Sequence, residues 1–564
     1  MQIKMLNNIP VIDLFAGPGG LSEGFASFIP KSSTSYPFNI CASVEMDAWA
    51  HQTLELRSFF HEFRGNAPNE YYQYLRQEIT KEELFEKYPI QAVAAKKRAI
   101  LAELGNNDHD ALIRQRLNKV FEDNPDKPWV LIGGPPCQAY SVIGRSRRQA
   151  NGAGQQKQEE DKRNFLYLEY LKIIANYKPA VFVMENVKGM LSAKVNGKEI
   201  FHEILEDLRH PKDALEDSNV LGYTRNGLKY KIYSLVVSKD DGSELSPTDY
   251  IIKSENYGVG QMRHRVILLG VRSDIKVKPR TLTSHEDKVT VESLLSDLPK
   301  LRSTFTRPFG SAEEWYDHLA SIRNQNWYKR YKPAVKNGNS VDVDAIKSKM
   351  DKCLNAIRND LSTGGEFTVS KPGAAYRPDW FNDPRMGGVT NHIARGHMKE
   401  DLYRYFFAAA YTSAFGRSPR MKDFPTELLP KHKNVGQSLD TGAFDDRFRV
   451  QQTDRPATTI TCHISKDGHY NIHYDPSQCR SLTVREAARL QSFPDNYYFV
   501  GPRTQQYHQV GNAVPPLLAS QIADIVYDVI NQIPLSESES QESLNEIDAI
   551  LAVSKRQKVI VAGM

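Results

Sequence analysis

Four short segments hold residue types that can do chemistry. Cys137 sits in GGPPCQAYS (133–141), directly behind an apolar run at 129–132. Two prolines stiffen that turn and fix the backbone of the cysteine. A thiolate in a polar, rigid turn is a strong nucleophile once its pKa falls. Cys41, Cys353, Cys462 and Cys479 have no such setting and read as small apolar packing groups. Glu185 in MENVKG (184–189) offers a carboxylate for acid or hydrogen-bond work. Arg263 and Arg265 in QMRHR (261–265) fall on one face of a regular strand, where two guanidinium groups suit an anionic or carbonyl-bearing substrate. In DLFAGPGG (13–20) the glycines allow a ligand close to the backbone. Each segment alone also has a plainer reading, as a structural turn, a solvated acid or a surface ion pair.

These residues need elements to position them. Residues 9–25 read as strand, tight loop and helix, and a second apolar run, 38–45, ends in Glu45. A gap of about 20–30 residues from glycine loop to acid is the spacing of a βαβ nucleotide site, with the acid on ribose hydroxyls. Further apolar runs at 129–132, 180–184 and 266–271 alternate with helix-like stretches. That alternation predicts an α/β domain with a mostly parallel sheet. Residues 54–128 predict two or three amphipathic helices inserted between strands. Residues 144–163 are nearly devoid of apolar side chains and predict a long mobile loop with Gly152 and Gly154 as hinges. From 276 to 450 the periodicity weakens, and a Ser/Glu-rich stretch at 536–543 precedes a short tail.

Composition narrows the class. Of 564 residues, 40% are hydrophobic and 25% charged, which excludes a mainly disordered or collagen-like chain. Five cysteines exclude a dense disulfide framework and point to a reducing compartment. No run approaches about 18 apolar residues, so no membrane span is expected, and the start of the chain has no signal pattern. The net charge of +5 is uninformative as a total. Residues 301–450 hold 24 Lys and Arg against 17 Asp and Glu, a net of +7 that leaves −2 for the rest.

The ordered set DLFAGPGG, VEMD, GGPPCQAYS, MENV, QMRHR, RSLTVREAARLQSFPDNY and QVGNAVPP resembles the cytosine-5 DNA methyltransferase family, prokaryotic and of restriction-modification type. The resemblance implies a Rossmann-like S-adenosylmethionine-dependent methyltransferase domain with a smaller target-recognition domain inserted before the C-terminal motifs. It implies a catalytic domain at 1–275, recognition at 276–475, a return to the catalytic domain at 476–535 and a tail at 536–564. By the same resemblance Phe15, Gly17, Gly19, Glu45, Pro136, Asn512 and Val514 bind S-adenosylmethionine. Cys137 is the nucleophile, Glu185 and Arg265 hold the cytosine, and Arg263 supports that pocket. Gln138, Ser141, Arg145 and Arg147, with Arg148 and Arg163, belong to a loop that closes on DNA around a flipped base. The family's acid for the cofactor adenine has no clear counterpart; Asp108 and Asp110 are candidates. The basic region 276–450, with Trp315, Trp327, Tyr328, Tyr376 and Trp380, suits a DNA-facing surface. The RSLTVREAARLQSFPD segment is read as structural.

No metal is expected: His392, Arg395 and His397 lack a Cys or acidic partner at ligand spacing and read as packing or DNA-facing groups. The implied partners are double-stranded DNA and a cognate restriction endonuclease or defence proteins, with the protein a monomer on DNA. The implied location is the prokaryotic cytoplasm, at the nucleoid. A transfer-RNA cytosine-5 methyltransferase shares the PPCQ and ENV chemistry, but that group is compact where about 190 residues intervene here. A catalytically inactive DNA-binding homologue is the other alternative; it would have lost Cys137 or Glu185, and both are present.

Overall fold

The computed structural model describes residues 7–31, 33–136, 155–195, 198–216, 228–239, 244–331, 342–371, 373–431 and 445–533. Its centre is an eight-stranded sheet. Five parallel strands, β1 (Ile9–Leu14), β2 (Phe38–Glu45), β3 (Ala99–Leu101), β4 (Val130–Gly133) and β5 (Val181–Val187), lie in the order β3-β2-β1-β4-β5. The strand His264–Arg272 pairs antiparallel with β5, and Tyr230–Ser234 and Ile251–Lys253 pair with it in turn. The order reverses between β1 and β4, which opens a crevice beyond their carboxyl ends.

The strands read as apolar runs because both faces are covered. Val11, Val130, Ile132, Val181 and Val183 point into one core, and Ile12, Leu14, Leu131, Phe182 and Met184 into the other. Helix α1 (Gly20–Ala26) and the last described helix, Pro516–Ile530, cover the first face.

The predicted strands are all present, but residues 54–128 are richer than expected. Helices α2 (Ala48–His61), α3 (Asn69–Leu75), α4 (Lys81–Lys87), α5 (Pro89–Arg98) and α6 (Asn107–Asp123) occupy this stretch and its flank, and strand β3 lies among them. A strand of three residues is too short to show a period of its own. The predicted loop 144–163 is also corrected: from Gln155 onward it belongs to α7 (Gln155–Tyr177), and the remainder lies outside the described residues.

Residues 276–475 contain a strand pair, Gly364–Val369 with Gly388–Ile393, and a long buried helix, Lys399–Phe415. Trp315, Trp327 and Tyr328 are buried in the core around that helix, and Tyr376 and Trp380 are half-buried against another. The expectation that these five aromatics face DNA is therefore corrected: burying ring area outweighed exposing it. His392 and His397 are buried too, bonded to Thr483 and Pro299 and to Ser481 respectively. They are packing groups.

The RSLTVREAARLQSFPD segment knits the regions together. Arg480, Arg485 and Arg489 are almost wholly buried. Arg480 pairs with Glu486, Arg485 donates to Thr390, Pro494 and Tyr497, and Arg489 binds Asp495 and Asp297. Residues Arg503–Ile530 meet the length and hydropathy of a membrane span, but 78% of the relevant window is buried, as in a core helix.

Candidate active site

The crevice begins at the loop after β1. Phe15, Gly17 and Gly19 all have positive φ, 57°, 56° and 95°. The Gly17 N–H donates to Glu45 Oε2 and the Asp47 N–H to Glu45 Oε1, both at 2.7 Å. The end of β2 thus clamps the glycine loop, and burial raises the Glu45 carboxyl against the lowering effect of those bonds. Asp47 also caps α2 through the Trp49 and Ala50 N–H groups. Met46, Trp49 and Leu101 leave apolar surface exposed at this edge. The loop is closed from behind by Tyr497, whose hydroxyl donates to the Pro18 carbonyl.

Beside it, β4 ends at Gly133, where a Cβ would stand 2.5 Å from the Leu14 carbonyl. Gly134, Pro135 and Pro136 follow, and Asn186 Nδ2 donates to the Pro135 carbonyl at 2.9 Å. Asn186 also takes the Val187 N–H at 2.8 Å. The ENV motif thereby fixes the turn that leads to Cys137. Cys137, Gln138, Ser141, Arg145, Arg147 and Arg148 lie outside the described residues, as does the side chain of Arg163.

Glu185 lies near the end of β5 with its carboxylate beside Gly134, and Arg265 Nε meets Glu185 Oε1 at 2.9 Å. Arg265 also donates to the His264 carbonyl at 2.9 Å. Arg263 lies within electrostatic reach of that pair, but its hydrogen bonds go elsewhere. The strand breaks at 263, and the alternation that would align the two arginines is lost. Arg263 is buried and donates to the Ile460 and Gly511 carbonyls at 2.9 and 3.1 Å. Burial, with Arg265 nearby, lowers its guanidinium to about 9. It holds the returning chain against the catalytic body. That return, QVGNAVPP, leaves Asn512 exposed and seats the Val514 backbone against Gly20.

Asp108 and Asp110 stand in the first turn of α6. The acid that follows β3 is Glu103, whose carboxylate accepts from Asn106 Nδ2 at 3.4 Å. Its signal was the run Ala99-Ile100-Leu101-Ala102-Glu103, concealed within helix-like sequence.

A family model described as C-5 cytosine-specific DNA methylase matches residues 103–211 and 246–527. The chain belongs to this family. Type II methyltransferase M.Bpa9945I of Bacillus paralicheniformis is 34% identical over 540 residues, covering 92% of this chain and 99% of that protein. Type II methyltransferase M.DdeI of Desulfomicrobium norvegicum is 25% identical, over 91% of this chain and 87% of that one. DNA (cytosine-5-)-methyltransferase M.ApeKI of Aeropyrum pernix is 24% identical, over 72% and 82%.

As a member of the C-5 cytosine-specific DNA methylase family, the protein is a DNA (cytosine-5)-methyltransferase with S-adenosylmethionine as methyl donor. The crevice fits that cofactor. Its glycine loop admits a close ligand, Glu45 anchors that loop from the end of β2, and apolar surface is exposed at Met46 and Leu101. Among the described residues no cluster of three metal-ligating side chains occurs.

Proposed function

We propose that the protein methylates carbon 5 of a flipped-out cytosine within a specific double-stranded DNA sequence and protects host DNA in a type II restriction-modification system. The supporting observation is the Glu185–Arg265 pair at 2.9 Å beside a Pro135 turn pinned by Asn186, immediately before Cys137. The relatives' names supply the restriction-modification setting.

Carbon 5 of cytosine is too electron-poor to take a methyl group unaided. The Cys137 thiolate attacks carbon 6, and the electron pair moves toward carbon 5. Glu185 contacts ring nitrogen 3 and the exocyclic amine, and Arg265 holds the carbonyl oxygen as charge develops. When bound, S-adenosylmethionine supplies an electrophilic methyl group. A water-mediated base then removes the carbon 5 proton, and Cys137 leaves by elimination. Phe15, Gly17, Gly19, Glu45, Pro136, Asn512 and Val514 hold the cofactor, and Glu103 is the better candidate than Asp108 or Asp110 for its adenine. Arg263 acts by positioning the chain at Ile460 and Gly511. Residues 276–475 read the DNA, and Gln138, Ser141, Arg145 and Arg147 close on it. The protein works as a monomer in the cytoplasm, at the nucleoid, alongside a cognate endonuclease.

The test is transfer of labelled methyl groups to DNA by the wild type and by Cys137→Ser. The wild type should label DNA and be trapped on 5-fluorocytosine DNA, and the variant should do neither. Transfer by the variant at the native rate would sink the thiolate mechanism. Bisulfite sequencing of DNA from expressing cells should reveal one recurrent site.

A further inference from the structure

We propose that Tyr497 is a positioning residue of the cofactor site. Its hydroxyl holds the Pro18 carbonyl and so keeps the glycine loop in the shape that receives S-adenosylmethionine. The inference rests on the cofactor assignment above and adds to it a residue of the returning chain that acts through the loop.

Phe15, Gly17 and Gly19 give the loop three positive φ angles within five residues. Backbone of that kind persists only where its surroundings over-determine it. The N–H groups are held within the catalytic body: Ala16 by the Val44 carbonyl at 3.1 Å, Gly17 by Glu45 at 2.7 Å and Gly19 by the Ala16 carbonyl at 3.0 Å. Pro18 has no N–H to offer. It is buried, and its carbonyl accepts from Tyr497, 479 positions along the chain. The Pro18–Gly19 peptide is thus pinned on both sides, its N–H to Ala16 and its carbonyl to Tyr497. Gly19, at φ 95°, is the residue that would let this peptide turn. A Cβ there would stand 3.1 Å from the Tyr497 hydroxyl, so the hydroxyl uses the room that glycine leaves.

Tyr497 is itself firmly mounted. Its ring is buried, 4.7 Å from the Phe493 ring and 5.3 Å from the Phe499 ring, with the Arg57 guanidinium 4.8 Å from its centre. Its N–H donates to the Pro494 carbonyl at 3.0 Å, and its own carbonyl accepts from Arg485 at 2.5 Å. Burial, reinforced by Glu23, raises the phenol well above its ordinary 10, so the group keeps its proton and donates. Removing the hydroxyl leaves this mounting intact and deprives a buried carbonyl of its donor. The Pro18–Gly19 peptide then turns in part of the population, and only the remaining molecules bind the cofactor.

Calorimetry on the full chain without DNA, set beside steady-state methylation and thermal melts, tests this. Tyr497→Phe keeps the ring and should melt within a few degrees of the wild type. It should weaken S-adenosylmethionine and S-adenosylhomocysteine alike, by about fivefold, because the two share the ends that the loop would hold. The KM for S-adenosylmethionine should rise by the same factor, with kcat at saturating cofactor within about twofold of the wild type. Phe493→Leu provides the second arm. It loosens the same ring cluster and keeps the hydroxyl, so it should lower the melting temperature and leave cofactor affinity within about twofold. Unchanged cofactor affinity in a folded Tyr497→Phe protein overturns the proposal. So does a fall in kcat with KM unmoved, or equal weakening of the cofactor by Phe493→Leu. Failure of the wild type to bind S-adenosylmethionine at all would instead overturn the cofactor assignment beneath it.

Discussion

Arg263 and Arg265 stand two residues apart and do different work. Arg265 is joined to Glu185 and its guanidinium borders the crevice. Arg263 is buried and spans two carbonyls of the returning chain. Arg265→Ala should therefore leave the melting temperature within a few degrees and cut the single-turnover methylation rate by about a hundredfold or more. Arg263→Ala should lower stability by about 3 kcal/mol, because two buried carbonyls lose charged donors. Thermal melts set beside single-turnover rates separate the two. An Arg263→Ala protein as stable as the wild type would refute the positioning role. From sequence the pair looked equivalent, because a period-two pattern presumes an unbroken strand, and the carbonyl that Arg263 meets lies about 250 residues away.

At the scale of elements, the catalytic sheet depends on α1 being held from two sides. Gly24 lies in the interior of α1, where a Cβ would stand 2.6 Å from the Pro516 carbonyl oxygen and 2.5 Å from the Ser520 nitrogen. Those are backbone atoms and cannot swing aside. Gly24→Ala gains about 1 kcal/mol in helix propensity. Overpacking against backbone should exceed that gain and leave the protein about 2 kcal/mol less stable in urea titration. The opposite side is ionic. Glu23, buried on α1, accepts from Arg57 at 2.7 Å and meets His61 at 2.8 Å, both on α2, and Arg57 reaches Asn496 at 3.0 Å. Burial pushes Glu23 upward, but Arg57 and then His61 outweigh it and hold the carboxyl far below its ordinary 4.5. A depressed pKa means that this stabilisation is present above about pH 4.5 and is lost as pH falls below it. Melting temperature should drop steeply for the wild type between pH 5 and 3. Glu23→Gln should be destabilised by about 3 kcal/mol or more at pH 7 and show a shallower acid slope. Equal slopes would exclude Glu23 as the source. The strands and the glycine loop were legible because a buried parallel strand is a plain apolar run. The clasp of α1 was not, since it joins residues nearly 500 positions apart and leaves only ordinary Gly, Glu and Arg in the sequence.

The whole molecule shows why the basic region could not be read as a freestanding module. Its apolar residues 289–298 share a core with the returning segment 482–513, and its aromatic side chains are spent on packing. The helical insert joins the same assembly. Phe59, Phe60, Tyr71 and Tyr72 pack with Met386, next to the strand pair Gly364–Val369 and Gly388–Ile393. Arg385 donates to the Ala67 carbonyl at 3.1 Å and the Gly65 carbonyl at 3.3 Å, with its guanidinium 4.6 Å from the centre of the Tyr72 ring. Tyr72 in turn donates to Asp383 at 2.7 Å, which also accepts from Asn496 at 2.9 Å. Helices α2 and α3 thus form a prop under the region proposed to read DNA, while strand β3 of the same insert pairs with β2 at Glu45. Arg385→Ala removes two carbonyl bonds and a cation–ring contact from a half-exposed site, about 1–2 kcal/mol in all. If the prop sets the seat of the recognition region, that loss should appear as DNA affinity weakened several-fold, up to roughly tenfold. Affinity for S-adenosylmethionine should be unchanged, as should the turnover of saturated complex. Fluorescence anisotropy on the modified site and calorimetry on the cofactor measure the two independently. Equal loss in both would show a general loosening of the fold, and unchanged DNA affinity would show that the insert has no part in seating the recognition region.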